Sequence, residues 1–236
     1  MLGDDKPSTT DLSIVLDLDE TLARSLAVNE NQELALSVIN DLNIYENPEF
    51  MDLRGRIKIL GLDDPVTSKG SGITHACVTL MRPHLGEFLV FAFSYFRKVI
   101  IWSAGVEDYV RKIAKSITTL YGTRDFDLVW TRNDCVLEED GEYTKPLRKI
   151  VNENPSLRLD MSKILVVDDR ATTFRNNVEN GILIPIYKPS VTISSMRAED
   201  VSLLKIKHWC LSEEVKKTDD VRKIDKSKIF MKSLSG

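Results

Sequence analysis

The chain has 236 residues, 42% of them hydrophobic and 29% charged, with a net charge of −4. That is enough for one sizeable soluble domain carrying an insertion, or two small ones. It lacks the basic footprint of direct nucleic-acid binding, and no apolar run reaches the ~20 residues of a membrane helix.

The first predicted element is LSIVLD (12–17), an aliphatic, β-branched run that reads as a buried strand and stops on acids. Residues 31–44 carry Leu34, Val38 and Leu42 at four-residue spacing, predicting a helix. Between 55 and 81 two apolar runs, roughly 55–61 and 73–81, flank the Ser/Gly-rich LDDPVTSKGSG, predicting a hairpin with a long tip. RPHLGEFLVFAFSYF (82–96) reads as a buried helix and KVIIW (98–102) as a second buried strand. In 106–121, Val106, Val110, Ile113, Ile117 and Leu120 share one helical face. DLVWT (127–131), KILVVD (163–168) and NGILIPIY (180–187) are further strands, and 196–211 a last helix. The charged stretch 213–236 is expected to be a loosely held tail after a single domain, 1–212. Three cysteines without CxxC spacing predict free thiols in a reducing compartment, and residues 1–11 lack an apolar signal core. The expected location is nuclear or cytoplasmic.

Strands alternating with helices predict an α/β fold, a doubly wound Rossmann-like parallel sheet with a small hairpin-containing insertion at about 28–81. In such sheets ligands bind beyond the carboxyl ends of the strands. Asp17 and Asp19, Ser103, and Asp168 with Asp169 all fall at predicted strand ends. Four carboxylates at one edge repel unless something offsets their charge, and oxygen donors suit Mg²⁺. Residues i and i+2 of an extended segment project to the same side, so Asp17 and Asp19 can face one substrate. One can attack phosphorus; the other can protonate the leaving oxygen and later activate water. Lys145 is a candidate for neutralising phosphoryl charge.

DLDET (17–21) resembles the DxDxT signature of haloacid dehalogenase superfamily phosphatases. The superfamily's other motifs follow in order as IIWSAG, the isolated Lys145 and VVDDR. MRPHLGEFL, VIIWSAGVEDYV, TRNDCV, GEYTKPLRKI and ILVVDDR further resemble the RNA polymerase II C-terminal-domain phosphatases, including the small NLI-interacting-factor-like enzymes. The likeness runs from about residue 12 to about 190, is weak over 28–78 and is absent past 212.

The resemblance implies a Mg²⁺-dependent serine/threonine phosphoprotein phosphatase working through an aspartyl-phosphate, with phosphorylated protein, such as the polymerase tail, as partner. It implies Asp17 as nucleophile and Asp19 as general acid and base, with Thr21 fixing the loop. Ser103 would donate to a phosphate oxygen and Lys145 would neutralise phosphoryl charge. Asp17, the Asp19 backbone carbonyl and Asp169 would hold the metal, with Asp168 orienting Lys145; the adjacent acids could exchange these parts. Arg132 matches an arginine near the substrate phosphate. Val106 and Tyr109 match positions lining an apolar pocket for a substrate proline. A monomer without membrane attachment is expected. Two alternatives stand beside this reading: a non-catalytic phosphopeptide-binding domain on the same fold, and a small-molecule phosphatase. His84, next to Pro83 at a helix start, reads as structural. Cys135 lacks the glycine-rich phosphate loop that a thiol phosphatase needs.

Overall fold

The computed structural model describes residues 9–27, 30–63 and 74–231. In chain order the strands are β1 (Ser13–Leu16), β2 (Ala23–Ala27), β3 (Ile57–Asp63), β4 (Thr74–Met81), β5 (Lys98–Trp102), β6 (Leu128–Trp130), β7 (Val136–Leu137), β8 (Tyr143–Thr144), β9 (Ile164–Asp168) and β10 (Gly181–Leu183). The helices are α1 (Glu30–Asp41), α2 (Met51–Arg54), α3 (Leu85–Tyr95), α4 (Glu107–Tyr121), α5 (Leu147–Glu153), α6 (Ile193–Arg197), α7 (Ser202–Cys210) and α8 (Glu213–Lys216).

Five strands form a parallel sheet in the order β10-β9-β1-β5-β6, with β1 at its centre. Strand alternation divides the side chains between two layers. Ile14, Leu16, Val99, Ile101, Leu165 and Val167 face α3, α4 and α7. Val15, Ile100, Trp102, Ile164 and Val166 face α5 and Phe174. Each such fully buried aliphatic side chain contributes about 1.5–3 kcal/mol. This is the predicted doubly wound α/β architecture.

The helix behind the site shows its causes locally. Glu107 and Asp108 occupy the first turn of α4, where acids favour the positive end of the helix dipole. Gly122 ends it in the left-handed region (φ 63°), returning its N–H to the carbonyls of Thr118 and Thr119. Val110, Ile113 and Ile117 are buried along its inner face, as the spacing predicts.

The insertion is a second, antiparallel sheet in the order β2-β4-β3, covered by α1. The hairpin expected between 55 and 81 is β3–β4; most of its Ser/Gly-rich tip lies outside the described residues. The predicted helix forms as α1. Ala35 and Ile39 are buried against Val78 and Leu80, whereas Leu34 is 52% exposed and Leu42 is exposed. A small residue at 35 lets the helix lie close to the sheet, and that turns Leu34 outward.

Three expectations are corrected. The last predicted strand is only three residues long, because Pro185 follows it closely and supplies no N–H to a ladder. The predicted helix over 196–211 is two, α6 and α7, with Ala198 leaving the helical region between them. Residues 213–231 are packed rather than loose: Val215, Val221, Ile224 and Ile229 are buried in the main core while the charged residues between them stay outside. Those apolar residues are too sparse and irregular to register as a periodic pattern, yet each fills a place in the core.

Candidate active site

β1 ends at Leu16, and the next residues turn across the carboxyl edge of the sheet. Leu18 is completely buried between Asp17 and Asp19, so both acids emerge on the side away from the core. Glu20 then takes a left-handed conformation (φ 60°), uncommon for a residue with a side chain. The Glu20 carbonyl accepts from the Tyr187 N–H at 2.7 Å, and its N–H donates to the Ala23 carbonyl at 2.7 Å. These bonds hold the sharp turn that brings Thr21 back under the sheet edge. Arg82, fully buried, locks the loop from behind: its guanidinium donates to the Thr21 carbonyl (2.9 Å), the Pro185 carbonyl (2.7 Å) and Asp200 (2.8 Å).

Lys145 is the electrostatic centre. Its ammonium donates to Asp17 Oδ1 and to Asp168 Oδ2, both at 2.6 Å, with all three side chains buried. The backbone of Lys145 is fixed by its N–H on the Thr173 carbonyl at 2.6 Å. Burial works against the charge on Lys145, but Asp168 and Asp17 outweigh it and hold the amine protonated. Burial pushes the Asp17 carboxyl upward, Lys145 pulls it down, and Asp168 and Asp19 add repulsion. Asp169, half-buried, is pushed up to about 6 by burial and then by Asp168.

The adjacent acids at the end of β9 divide their work. Asp168 spends one oxygen on Lys145 and the other on the Arg170 N–H at 2.9 Å. Asp169 accepts from Thr21 Oγ1 at 3.4 Å, and its own N–H donates to that hydroxyl at 3.1 Å. Thr21 thus couples the first acidic loop to the last. Asp17, Asp168 and Asp169 each offer a carboxylate oxygen within 4.8 Å of the others. Three carboxylates facing one ammonium leave an excess of negative charge, and every donor is a hard oxygen. That set fits Mg²⁺. Asp19 is not in it through its side chain: Oδ2 accepts from Ser103 Oγ at 3.3 Å and Oδ1 from the Tyr109 hydroxyl.

Around these groups lies an open cleft of about 380 Å³, lined by Asp17, Asp19, Ser103, Lys145, Asp168 and Asp169, with Arg132, Tyr143 and Arg170 at its rim. A smaller apolar cavity of about 20 Å³ lies under the insertion sheet, away from every one of these acids.

Residues 12–222 match the family model for NLI interacting factor-like phosphatases. The chain belongs to that family. Two solved structures of RNA polymerase II CTD phosphatases share the fold of this NLI interacting factor-like domain. One is an arginine-to-alanine variant of fission yeast Fcp1 bound to beryllium fluoride, 22% identical with a TM-score of 0.56. The other is Fcp1, described as an essential RNA polymerase II CTD phosphatase, 23% identical with a TM-score of 0.53. Each match covers 75% of this chain and 42% of the Fcp1 chain, so this chain spans less than half of those proteins. No curated protein sequence matches. The fold is of the haloacid dehalogenase type. Among the described residues no helix is long and apolar enough to cross a membrane.

Within this NLI interacting factor-like domain, the structure brings Asp17, Asp19, Thr21, Ser103, Lys145, Asp168 and Asp169 together at one sheet edge. Arg132 is exposed at the cleft rim, anchored by its Nε on the Ala104 carbonyl (2.7 Å) and lying over the Tyr143 ring. Val106 starts α4 outside the cleft lining. Tyr109 packs its ring against the main core and turns its hydroxyl to Asp19. His84 is exposed in a left-handed turn ahead of α3, apart from the cleft, in keeping with a structural reading. Two groups escaped sequence reasoning. Arg82 stands in the quoted MRPHLGEFL, but its partners Thr21, Pro185 and Asp200 are far apart in the chain. Tyr143 lies beside Lys145 in GEYTKPL, and nothing local marks it as the platform for Arg132.

Proposed function

We propose that the domain is a Mg²⁺-dependent phosphoprotein phosphatase that passes the phosphoryl group through Asp17. The observation that carries this reading is the Asp17–Lys145–Asp168 triad at the base of the open cleft, with Asp19 beside it and hydrogen-bonded to Ser103.

Asp17, Asp169 and the Asp19 backbone carbonyl would hold Mg²⁺, with Asp168 kept on Lys145. Bound there, the ion supplies positive charge against the phosphoryl oxygens and removes the cost of ionising Asp17. Lys145 stays protonated and adds its charge to the same oxygens. Ser103 donates its hydroxyl to one of them. An Asp17 oxygen attacks phosphorus as the bond to the leaving oxygen breaks, and protonated Asp19 gives its proton to that oxygen. The products are the free alcohol, an acyl phosphate on Asp17 and an Asp19 carboxylate. Asp19 then takes a proton from water as the water oxygen attacks phosphorus. The bond to Asp17 breaks, and inorganic phosphate leaves.

A phosphoserine or phosphothreonine peptide resembling the polymerase tail is the proposed substrate. Family membership and the two CTD phosphatase structures support that choice, and so does an open cleft with Arg132 and Arg170 at its rim. The β3–β4 hairpin is proposed to border the mouth and set peptide choice; most of its tip lies outside the described residues. Deleting 64–72 should change selectivity among phosphopeptides.

The first test is phosphate release from para-nitrophenyl phosphate by wild type and Asp17→Asn, with and without Mg²⁺. Mg²⁺-dependent turnover lost in the variant is the expected result. No turnover by the wild type with any divalent metal, combined with retained phosphopeptide affinity, would replace this reading with a binding module.

A further inference from the structure

Both oxygens of the Asp19 carboxylate are held, by donors of different kinds. Oδ2 accepts from Ser103 Oγ, a hydroxyl at the end of β5 that lines the cleft and itself accepts from the Gly105 N–H at 3.0 Å. Oδ1 accepts from the Tyr109 hydroxyl, which reaches Asp19 from the first turn of α4 and lies outside the cleft lining.

The local backbone makes room for this second contact. A Cβ on Gly105 would fall 2.9 Å from Tyr109 Cδ1 and 2.8 Å from Val110 Cγ2, both closer than side-chain carbons approach. Glycine at 105 therefore lets the phenol ring lie against the loop that carries Ser103. From the other side, Ser25 of the insertion flanks the same phenol, its hydroxyl 2.9 Å from Thr79 Oγ1 across β2 and β4. The ring is fixed by the main core, by the Ser103 loop and by the insertion sheet together.

We infer that Tyr109 is a positioning residue for Asp19, holding Oδ1 so that the transferable proton sits on Oδ2 and faces the leaving oxygen. This rests on the phosphatase reading above. A phenol that donates to one carboxyl oxygen leaves the other to carry the acid proton. When a phosphoryl oxygen takes the Ser103 hydroxyl, Oδ2 is released while Oδ1 stays on Tyr109. The proton then moves from Oδ2 to the leaving oxygen as its bond to phosphorus breaks, and the Tyr109 hydroxyl keeps its own proton throughout.

The test compares two small esters that differ in how much they need an acid. Para-nitrophenolate departs readily without protonation, whereas the phenolate of phenyl phosphate is a poorer leaving group. Neither ester reaches a peptide-binding surface. kcat/KM reports the steps through leaving-group departure, so later hydrolysis does not enter. In Tyr109→Phe, kcat/KM should fall roughly 10-fold further for phenyl phosphate than for para-nitrophenyl phosphate. Both esters are cleaved by the same folded fraction, so the ratio is independent of any loss of folded protein. Equal losses on the two esters, or no loss, would overturn the role of Tyr109 while leaving the phosphatase reading intact. A wild type that hydrolyses neither ester with Mg²⁺ would overturn both.

Discussion

The five-stranded sheet gathers charge where its strands end: Asp17 after β1, Asp168 on β9, and Lys145 buried between them. The insertion sheet gathers aliphatic side chains instead. Ala35, Ile39, Ile57, Val78 and Leu80 fill its interior, and its ion pairs, such as Arg197 with Asp52, stay at the surface. The first region is specified by chemistry, since the proposed reaction needs a carboxylate and an ammonium held together at that edge. The second is specified by volume and shape, which many sequences satisfy. One part of the molecule should therefore respond to mutation in rate, and the other mainly in stability.

The most severe way to sharpen that contrast is Asp17→Asn. Turnover of para-nitrophenyl phosphate should fall by roughly 10⁴-fold or more with the fold intact by circular dichroism. A variant with near-normal turnover would remove Asp17 as nucleophile. Lys145→Met should affect both properties. It leaves two buried carboxylates without their cation, so urea unfolding should show a loss of about 3–5 kcal/mol in metal-free buffer. In the insertion, Ile39→Ala should cost about 2–4 kcal/mol by the same measurement and leave kcat on a small ester nearly unchanged. A large fall in kcat there would break the division between the two regions.

Asp200 offers a pH test of the lock behind the acidic loop. Burial opposes its charge, but Arg82 outweighs burial and holds the carboxyl below the ordinary range. A depressed carboxyl stabilises the fold fully above its unfolded pKa of about 3.9 and loses that contribution as pH falls through the folded value. Asp200→Asn should thus be less stable than wild type at neutral pH and should converge with it as pH falls through the depressed folded value. A constant difference across the acid limb would contradict the linkage. The smallest effect is expected at Leu34→Ser, within about 0.5 kcal/mol, because that side chain is mostly exposed. A larger loss would show that Leu34 packs against the domain more than its exposure indicates.

The same division decides what could be read from the chain. Asp17 and Asp19 stand two apart at the end of an aliphatic run, and that pattern alone predicts two acids on one side of a strand end. Lys145 was reachable only through the order of motifs, since its partners lie far away in sequence. Asp168 and Asp169 were told apart only through the family resemblance, which put Asp168 on Lys145; strand geometry turns Asp168 to Lys145 and Asp169 to Thr21. The spacing of Leu34, Val38 and Leu42 predicts α1 as a helix but does not name its packed face, where Ala35 and Ile39 sit. Val215, Val221, Ile224 and Ile229 were obscured by the charges around them. The hydroxyl of Tyr109 was hidden for another reason: helical spacing describes which way a residue faces, not what its polar tip touches.

The strand order carries a consequence for how the domain assembles. Trp102 on β5 lies opposite Trp130 on β6, and the indoles stack edge to face at 4.7 Å. That pairing needs only the closure of a modest loop. Ser13 on β1 lies opposite Ile164 on β9, most of the domain away in sequence. Because closing longer loops costs more entropy, the two tryptophans should find each other early and the strand bearing Asp17 should be enclosed late. Refolding followed by tryptophan fluorescence should then run ahead of refolding followed by catalysis, with the charged centre closing last.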